Sequence, residues 1–124
     1  MKEAVSTDLA YRGIGPYSQA VKANGFVFVS GQLGWDGSGK VVGGGIEAQT
    51  EQALKNIEAI LRAAGSDWGK VIKASVFLKD MSNFERMNEI YGRALIGVPP
   101  VRTTVEVSRL PRDAEVEIDV IALA

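Results

Sequence analysis

The hydrophobic pattern changes period several times along the chain. Residues 18–31 hold two short apolar runs separated by Asn24-Gly25. Both turn residues tolerate the positive φ of a type I′ turn, so the spacing predicts a β-hairpin with strands Ser18–Ala23 and Phe26–Gly31. Ala23 then lies opposite Phe26, Val21 opposite Phe28 and Gln19 opposite Ser30. Ala20, Val27 and Val29 share the other face. Both faces of this ribbon are largely apolar, so neither belongs in water. Over residues 46–64 the period becomes helical. Ala53, Leu54, Ile57, Ile60, Leu61 and Ala64 recur at three- and four-residue spacing, and Glu58 and Arg62 pair at i,i+4. Gly65 stands where a left-handed residue stops a helix.

Residues 71–79 return to alternation, with Ile72, Ala74, Val76 and Leu78 on one face. Ser82-Asn83-Phe84-Glu85 reads as a capping box that opens a second helix. Its apolar positions include Phe84, Met87, Ile90 and Leu95, and it stops before Gly97-Val98-Pro99-Pro100. Two strands close the chain, about Val101–Arg109 and Ala114–Leu123, joined by Leu110-Pro111-Arg112-Asp113. The glycine-rich stretch Gly34–Gly45 reads as a loop with one short strand near Lys40–Val42. The order is β-β-α-β-α-β-β, with Glu3–Ser6 offering one more strand at the start. Such mixing predicts an α+β fold with two helices on one face of a single sheet. The opposite face has no cover within the chain, so a second copy is expected to supply it, and the protein is expected to be a homo-oligomer.

The last two strands carry the chemistry of interest. In Val101–Arg109 the even positions are Arg102, Thr104, Glu106 and Ser108; in the final strand the odd positions include Glu115, Glu117 and Asp119. Read as a hairpin across four residues, Glu106 faces Glu117, Thr104 faces Asp119 and Arg102 faces Ile121. Directly opposed residues share a face. One face is then expected to gather Arg102, Thr104, Glu106, Glu117 and Asp119. The plain reading is a solvated polar face. The sharper one is a site, in which Arg102 binds a carboxylate through its fork and a glutamate handles a water. Ile121 and Leu123 on the same face favour the site.

Composition narrows the chemistry. The 124 residues suit one domain, 1–124, large enough for its own core. There is no cysteine and no histidine. Disulfides, Cys or His nucleophile–base pairs, a Ser-His-Asp triad and the usual zinc sites are therefore excluded. Acid–base work falls to Asp, Glu, Lys, Tyr or water. Net charge is −1, which lacks the basic excess of a phosphate-binding surface. No apolar leader or membrane-length run is present, so the expected location is the cytoplasm. Glycines 43–45 form no nucleotide-binding fingerprint. Gly15-Pro16-Tyr17 is either a plain turn or a rigid mount for Tyr17. Ser30-Gly31-Gln32 is either a strand end or a close approach to a ligand. Asn88, mid-helix, is either a surface residue or one with a partner.

The chain also carries, in order, Ile14-Gly-Pro-Tyr-Ser-Gln-Ala-Val21, Val29-Ser-Gly-Gln32, Gln52-Ala-Leu-Lys-Asn-Ile57, Val76-Phe-Leu-Lys-Asp-Met81, Pro100-Val-Arg-Thr-Thr-Val-Glu-Val107, Leu110-Pro111 and Val116-Glu-Ile-Asp119. Taken together, these segments resemble the reactive intermediate deaminase (Rid, YjgF-type, endoribonuclease L-PSP-like) family. The resemblance implies a chorismate-mutase-like mixed sheet with two helices on one face, assembled as a homotrimer with clefts between subunits. It implies hydrolysis of enamine-derived 2-imino acids to 2-keto acids and ammonia, without metal or cofactor. By position it implies Arg102 as the carboxylate-pairing arginine and Glu117 as the glutamate on the attacking water. Tyr17, Ser30, Gly31 and Asn88 are implied to line the cleft. Thr104 stands where the family often has cysteine, and the resemblance then implies that the basic chemistry needs no thiol. Set beside that family pattern, the chain also looks shorter between Tyr91 and Pro99, a departure at the cleft rim that bears on substrate size. Two other functions are compatible with the same residues. One is capture of a small carboxylate metabolite without turnover, which needs Arg102 but not Glu117. The other is RNA cleavage or translation inhibition, which the charge balance disfavours.

Overall fold

The computed structural model describes all 124 residues. The predicted hairpin forms around Asn24 (φ 52°) and Gly25 (φ 80°), the two positive φ values a type I′ turn requires. Its strands are β2 (Ala20–Ala23) and β3 (Phe26–Leu33), in the expected register of Ala23 with Phe26 and Val21 with Phe28. A first strand, β1 (Glu3–Val5), pairs antiparallel with β2.

Helix α1 (Gly45–Ala63) buries Ala53, Leu54, Ile57, Ile60 and Leu61. It ends as Gly65 predicts. Gly65 adopts φ 82°, its N–H donates to Arg62 O, and Ser66 N–H donates to Leu61 O, a Schellman closure. Strand β4 (Val71–Leu78) follows, then α2 (Phe84–Ala94), β5 (Val101–Glu106) and β6 (Val116–Leu123). All six strands form one mixed sheet in the order β1-β2-β3-β6-β4-β5. Both helices cover one face. There Ile57, Ile60 and Leu61 meet Val76, Leu78, Val116, Ile118 and Val120, with Met87 of α2, in a continuous core. The fold is α+β.

Four expectations need correction. The last two strands are not a hairpin. β5 runs parallel to β4 across the α2 crossover, and β6 inserts between β3 and β4, antiparallel to both. The connection Leu110–Asp113 contains a short 3-10 turn with Arg112 and Asp113 at positive φ, and it carries the chain past β4 instead of folding it back on β5. The capping box does not form. Asp80 accepts a hydrogen bond from Ser82 N–H (2.9 Å) and caps a 3-10 turn over Met81–Asn83, so α2 begins at Phe84 without a side-chain cap. Ile72 does not join the buried face of β4, because the register of β4 against β6 shifts between Val71 and Lys73 and leaves Ile72 exposed. Lys40–Val42 is no strand: only an isolated bridge joins Val41 to Trp35.

The face away from the helices has no cover. Phe28, Val101, Val105 and Leu123 are 43%, 68%, 40% and 46% exposed there, an unusually apolar surface for strand residues left in water. At one end of it a smaller cluster of Leu33, Trp35 and Ala114 packs with Tyr11, Val41 and Leu110. Asn56 ties this cluster to α1 by donating to Leu33 O and Trp35 O (3.1 and 3.0 Å). No helix is long and apolar enough to cross a membrane.

Candidate active site

The strand rows decide which candidate residues can meet. Across β4, Arg102 aligns with Ala74 and Val120, and Thr104 with Val76 and Ile118. These rows lie on the helix-covered face. Glu117 aligns with Phe77 and Val105, and Asp119 with Ser75 and Thr103, on the uncovered face. The expected common face of Arg102, Thr104, Glu106, Glu117 and Asp119 is therefore split in two. The cause is the insertion of β6 beyond β4: a two-strand offset with parallel pairing replaces the hairpin, and the side chains that hairpin opposed now point to opposite sides of the sheet. Glu106 is engaged elsewhere, its Oε1 accepting from Met81 N–H (2.8 Å).

The first group of candidates surrounds an open cleft of about 430 Å³ on the uncovered side, lined by Ile14, Gly15, Tyr17, Ser30, Gly31, Leu33, Trp35, Pro111 and Glu117. A register shift in β3 between Val29 and Gln32 builds its floor, turning Ser30-Gly31 out of the regular ladder. Ser30 is pinned twice: its N–H donates to Gln19 O (2.9 Å) and its Oγ donates to Ser18 O (2.7 Å). Gly31 lies directly beneath the Glu117 side chain. A Cβ at Gly31 would overlap Glu117 Oε2 and come within 2.8 Å of its Cδ. Close approach of carboxylate and backbone thus depends on glycine.

Tyr17 stands at the mouth, half exposed, with its ring laid over Gly13 and Gly15, where any Cβ would strike it. Its loop is anchored by a residue the sequence left without a role, the buried Gln19. Gln19 Oε1 accepts from Thr7 N–H (2.7 Å), and its Nε2 lies within hydrogen-bonding reach of Thr7 O and Ala10 O (3.2 and 3.1 Å). No local pattern marked it, because its burial and its partners at Thr7 and Ala10 arise only in the fold.

Glu117 is half buried and has no hydrogen bond or ion pair within the chain. Burial, and then the Asp119 carboxylate beside it, push its carboxyl above the usual carboxylate range. Such a carboxylate is a stronger base than an exposed one.

The second group lies under α2 on the opposite side. Arg102, on the edge strand β5, is half buried and forms none of the chain's five ion pairs. Asn88, in mid-α2, has a buried Oδ1 with no hydrogen-bond partner. Thr104 is half buried one pleat along from Arg102. A single chain thus holds an uncompensated guanidinium with one side of its sheet and an unpartnered, raised-pKa carboxylate with the other.

Comparisons with known proteins agree with the motifs. The family model described as endoribonuclease L-PSP matches residues 7–124. A RutC family protein of Pyrococcus horikoshii is 50% identical over 123 residues, covering 98% of each chain. The mouse protein named 2-iminobutanoate/2-iminopropanoate deaminase is 44% identical over 124 residues, covering 99% of this chain and 92% of its own. The crystal structure of Escherichia coli TdcF with bound serine superposes with a TM-score of 0.93 at 35% identity, covering 98% of both chains. The chain belongs to the endoribonuclease L-PSP family, the reactive intermediate deaminase group whose motifs it carries.

Proposed function

We propose that this protein hydrolyses small 2-imino acids to 2-keto acids and ammonia, in clefts completed by a second copy of the chain. The observation that carries the reading is the pairing of two unmet groups. Arg102 has no counter-charge, Glu117 has no partner, and the sheet keeps them apart within one chain. The uncovered apolar face beside Glu117 supports self-association, with a homotrimer as the expected state. Relatives named as imine deaminases support the reaction class, and the relative with bound serine supports a small amino-acid-like ligand.

In this reading Arg102 of one copy holds the substrate carboxylate through a bidentate fork, which fixes the imine carbon over Ser30-Gly31 of the neighbour. Tyr17 closes the mouth, and Asn88 and Thr104 border the arginine. Glu117 takes a proton from a water as the water oxygen bonds to the imine carbon. The electron pair of the C=N π bond moves to nitrogen, which picks up a proton. The tetrahedral carbinolamine then collapses. The proton on Glu117 passes to the amine nitrogen, the hydroxyl oxygen forms the C=O bond and releases its proton to solvent in exchange for the one nitrogen took up, the C–N bond breaks, and ammonia leaves a 2-keto acid. No electron donor or acceptor is needed, because water addition and loss of ammonia leave every oxidation state unchanged.

The test is a coupled assay in which an amino-acid oxidase generates the imine and semicarbazide competes for it. Wild-type protein should suppress the semicarbazone catalytically. Arg102→Ala should abolish suppression at low substrate, and Glu117→Gln should abolish turnover while retaining binding of a 2-keto acid. Full suppression by either folded variant contradicts the reading. Carboxylate binding by the wild type without any turnover would mark it as a metabolite sensor instead.

A further inference from the structure

The surroundings of Arg102 hold a feature that neither the motifs nor the comparisons assign. Its guanidinium carbon lies 4.8 Å from the ring centroid of Tyr91 and 5.6 Å from that of Phe84, both on α2. Tyr91 is buried, and its ring is held edge-on by Trp68 (centroids 6.5 Å apart, planes at 82°). No carboxylate competes. Glu106 accepts from Met81 N–H, Glu89 pairs with Arg93 at 3.2 Å, and Glu117 and Asp119 lie across the sheet. Tyr91 adds no charge either: burial pushes its hydroxyl up, against the smaller opposing effect of Arg102.

We propose that Tyr91 and Phe84 are positioning residues that cradle Arg102 by cation–π contact and so keep its guanidinium in place, with its N–H fork vacant, for the ligand carboxylate. The proposal rests on the carboxylate-binding role of Arg102 given above. The physical logic lies in how an arginine can be held. An ion pair or hydrogen bonds would occupy the in-plane N–H groups that a carboxylate needs. Aromatic faces hold the cation through its plane and leave that fork unused. A flexible arginine loses rotamer freedom when it binds, and pre-ordering removes that cost from the binding step. Trp68 extends the support by fixing the Tyr91 ring, so the chain Trp68–Tyr91–Arg102 links the turn after α1 to the edge strand. The buried Tyr91 hydroxyl has no hydrogen-bond partner. The ring, and not the hydroxyl, is the working part.

The experiment uses the assembled protein and an imine generated from an aliphatic amino acid. Tyr91→Phe should keep KM within about two-fold. Phenylalanine analogues carrying one, two or three ring fluorines at position 91 preserve shape while draining the ring face of negative potential. Their KM should rise stepwise, by roughly three- to thirty-fold overall, with kcat much less affected, as expected for loss of uniform binding. The melting temperature should stay near that of Tyr91→Phe. Phe84→Leu, at a half-buried site, should raise KM in the same sense. A flat KM across the fluorinated series overturns the cradle, as does a several-fold change in Tyr91→Phe alone, which would assign the role to the hydroxyl. Arg102→Ala separates the two levels. If it raises KM while the fluorinated series is flat, the cradle fails and the carboxylate role stands. If it leaves KM unchanged, the carboxylate role itself fails.

Discussion

Gly31→Ala offers a sharp probe of how the cleft is built, because stability and turnover should respond on different scales. The φ of Gly31 lies outside the left-handed region, so alanine fits the backbone. The three heavy atoms nearest the added methyl all belong to the Glu117 side chain: its Oε2, its Cδ at 2.8 Å and its Cγ at 3.0 Å. That side chain ends in open cleft and can rotate aside. The off-rotamer cost is about 1 kcal/mol, which in a domain of this size lowers Tm by roughly 3–6 °C. The carboxylate must move by an ångström or more, and displacement on that scale costs about a hundred-fold in rate for a group that orients the nucleophile. The expected outcome is a folded, assembled variant with turnover down about a hundred-fold. Keto-acid formation and thermal melting, measured on the same sample, check it. In a Glu117→Gln background the same substitution should cost almost nothing further, because the two act on one group. Retention of more than half the wild-type turnover by Gly31→Ala would refute the placement of Glu117 over the cleft floor as the working geometry.

Other outcomes follow from the same features. In the proposed reaction Glu117 is ionised before it takes a proton, so activity should fall as pH drops through its raised pKa, with the acid limb above the usual carboxylate range. Asp119→Asn removes a contributor to that rise and should move the limb to lower pH in a kcat/KM profile. The stability effect has the opposite sense. A carboxyl raised in the folded state binds its proton more tightly there, so its destabilising contribution is present above the folded pKa and vanishes below the unfolded one. Glu117→Gln should therefore raise Tm at neutral pH, and the gain should disappear on acidification below the usual carboxylate range. Phe28→Asp places a charge at the centre of the uncovered apolar face, where it needs no rearrangement of the single chain. Light scattering should show a monomer with native circular dichroism and no activity.

The elements most legible in the sequence are those set by local chemistry. Asn24-Gly25 specified its hairpin and register outright, since two adjacent residues at positive φ leave few alternatives. Helix α1 was readable from the spacing of Ala53 through Ala64 and from Gly65. What alternation could not supply was strand order. The period-2 pattern of Val101–Glu106 sorts Arg102, Thr104 and Glu106 from Val101, Thr103 and Val105. It does not say which set meets the helices, nor that β6 passes β4 to sit beside β3. A four-residue connection suggested a hairpin, yet the α2 crossover committed β5 to parallel pairing with β4. The capping box lost to a competing local bond, Asp80 with Ser82 N–H. For the site, period and spacing yielded only a polar set. The motifs singled out Arg102 and Glu117, and the sheet then set them on opposite sides. The support from Gln19, Tyr91 and Phe84 lies in three-dimensional packing that no single stretch of sequence displays.

In the proposed arrangement each working cleft draws Arg102 from one copy and Glu117 from another. Mixing Arg102→Ala and Glu117→Gln chains distinguishes this from a cleft built within a single chain. The two inactive proteins are unfolded together and reassembled in equal amounts. A cleft is then intact when its arginine comes from the Glu117→Gln chain and its glutamate from the Arg102→Ala chain, which random mixing achieves in about a quarter of clefts. Roughly a quarter of wild-type turnover should then return, and none when the proteins are mixed without exchange of subunits. Reassembled mixtures that stay inactive, while reassembled wild type recovers fully, would rule out the shared cleft.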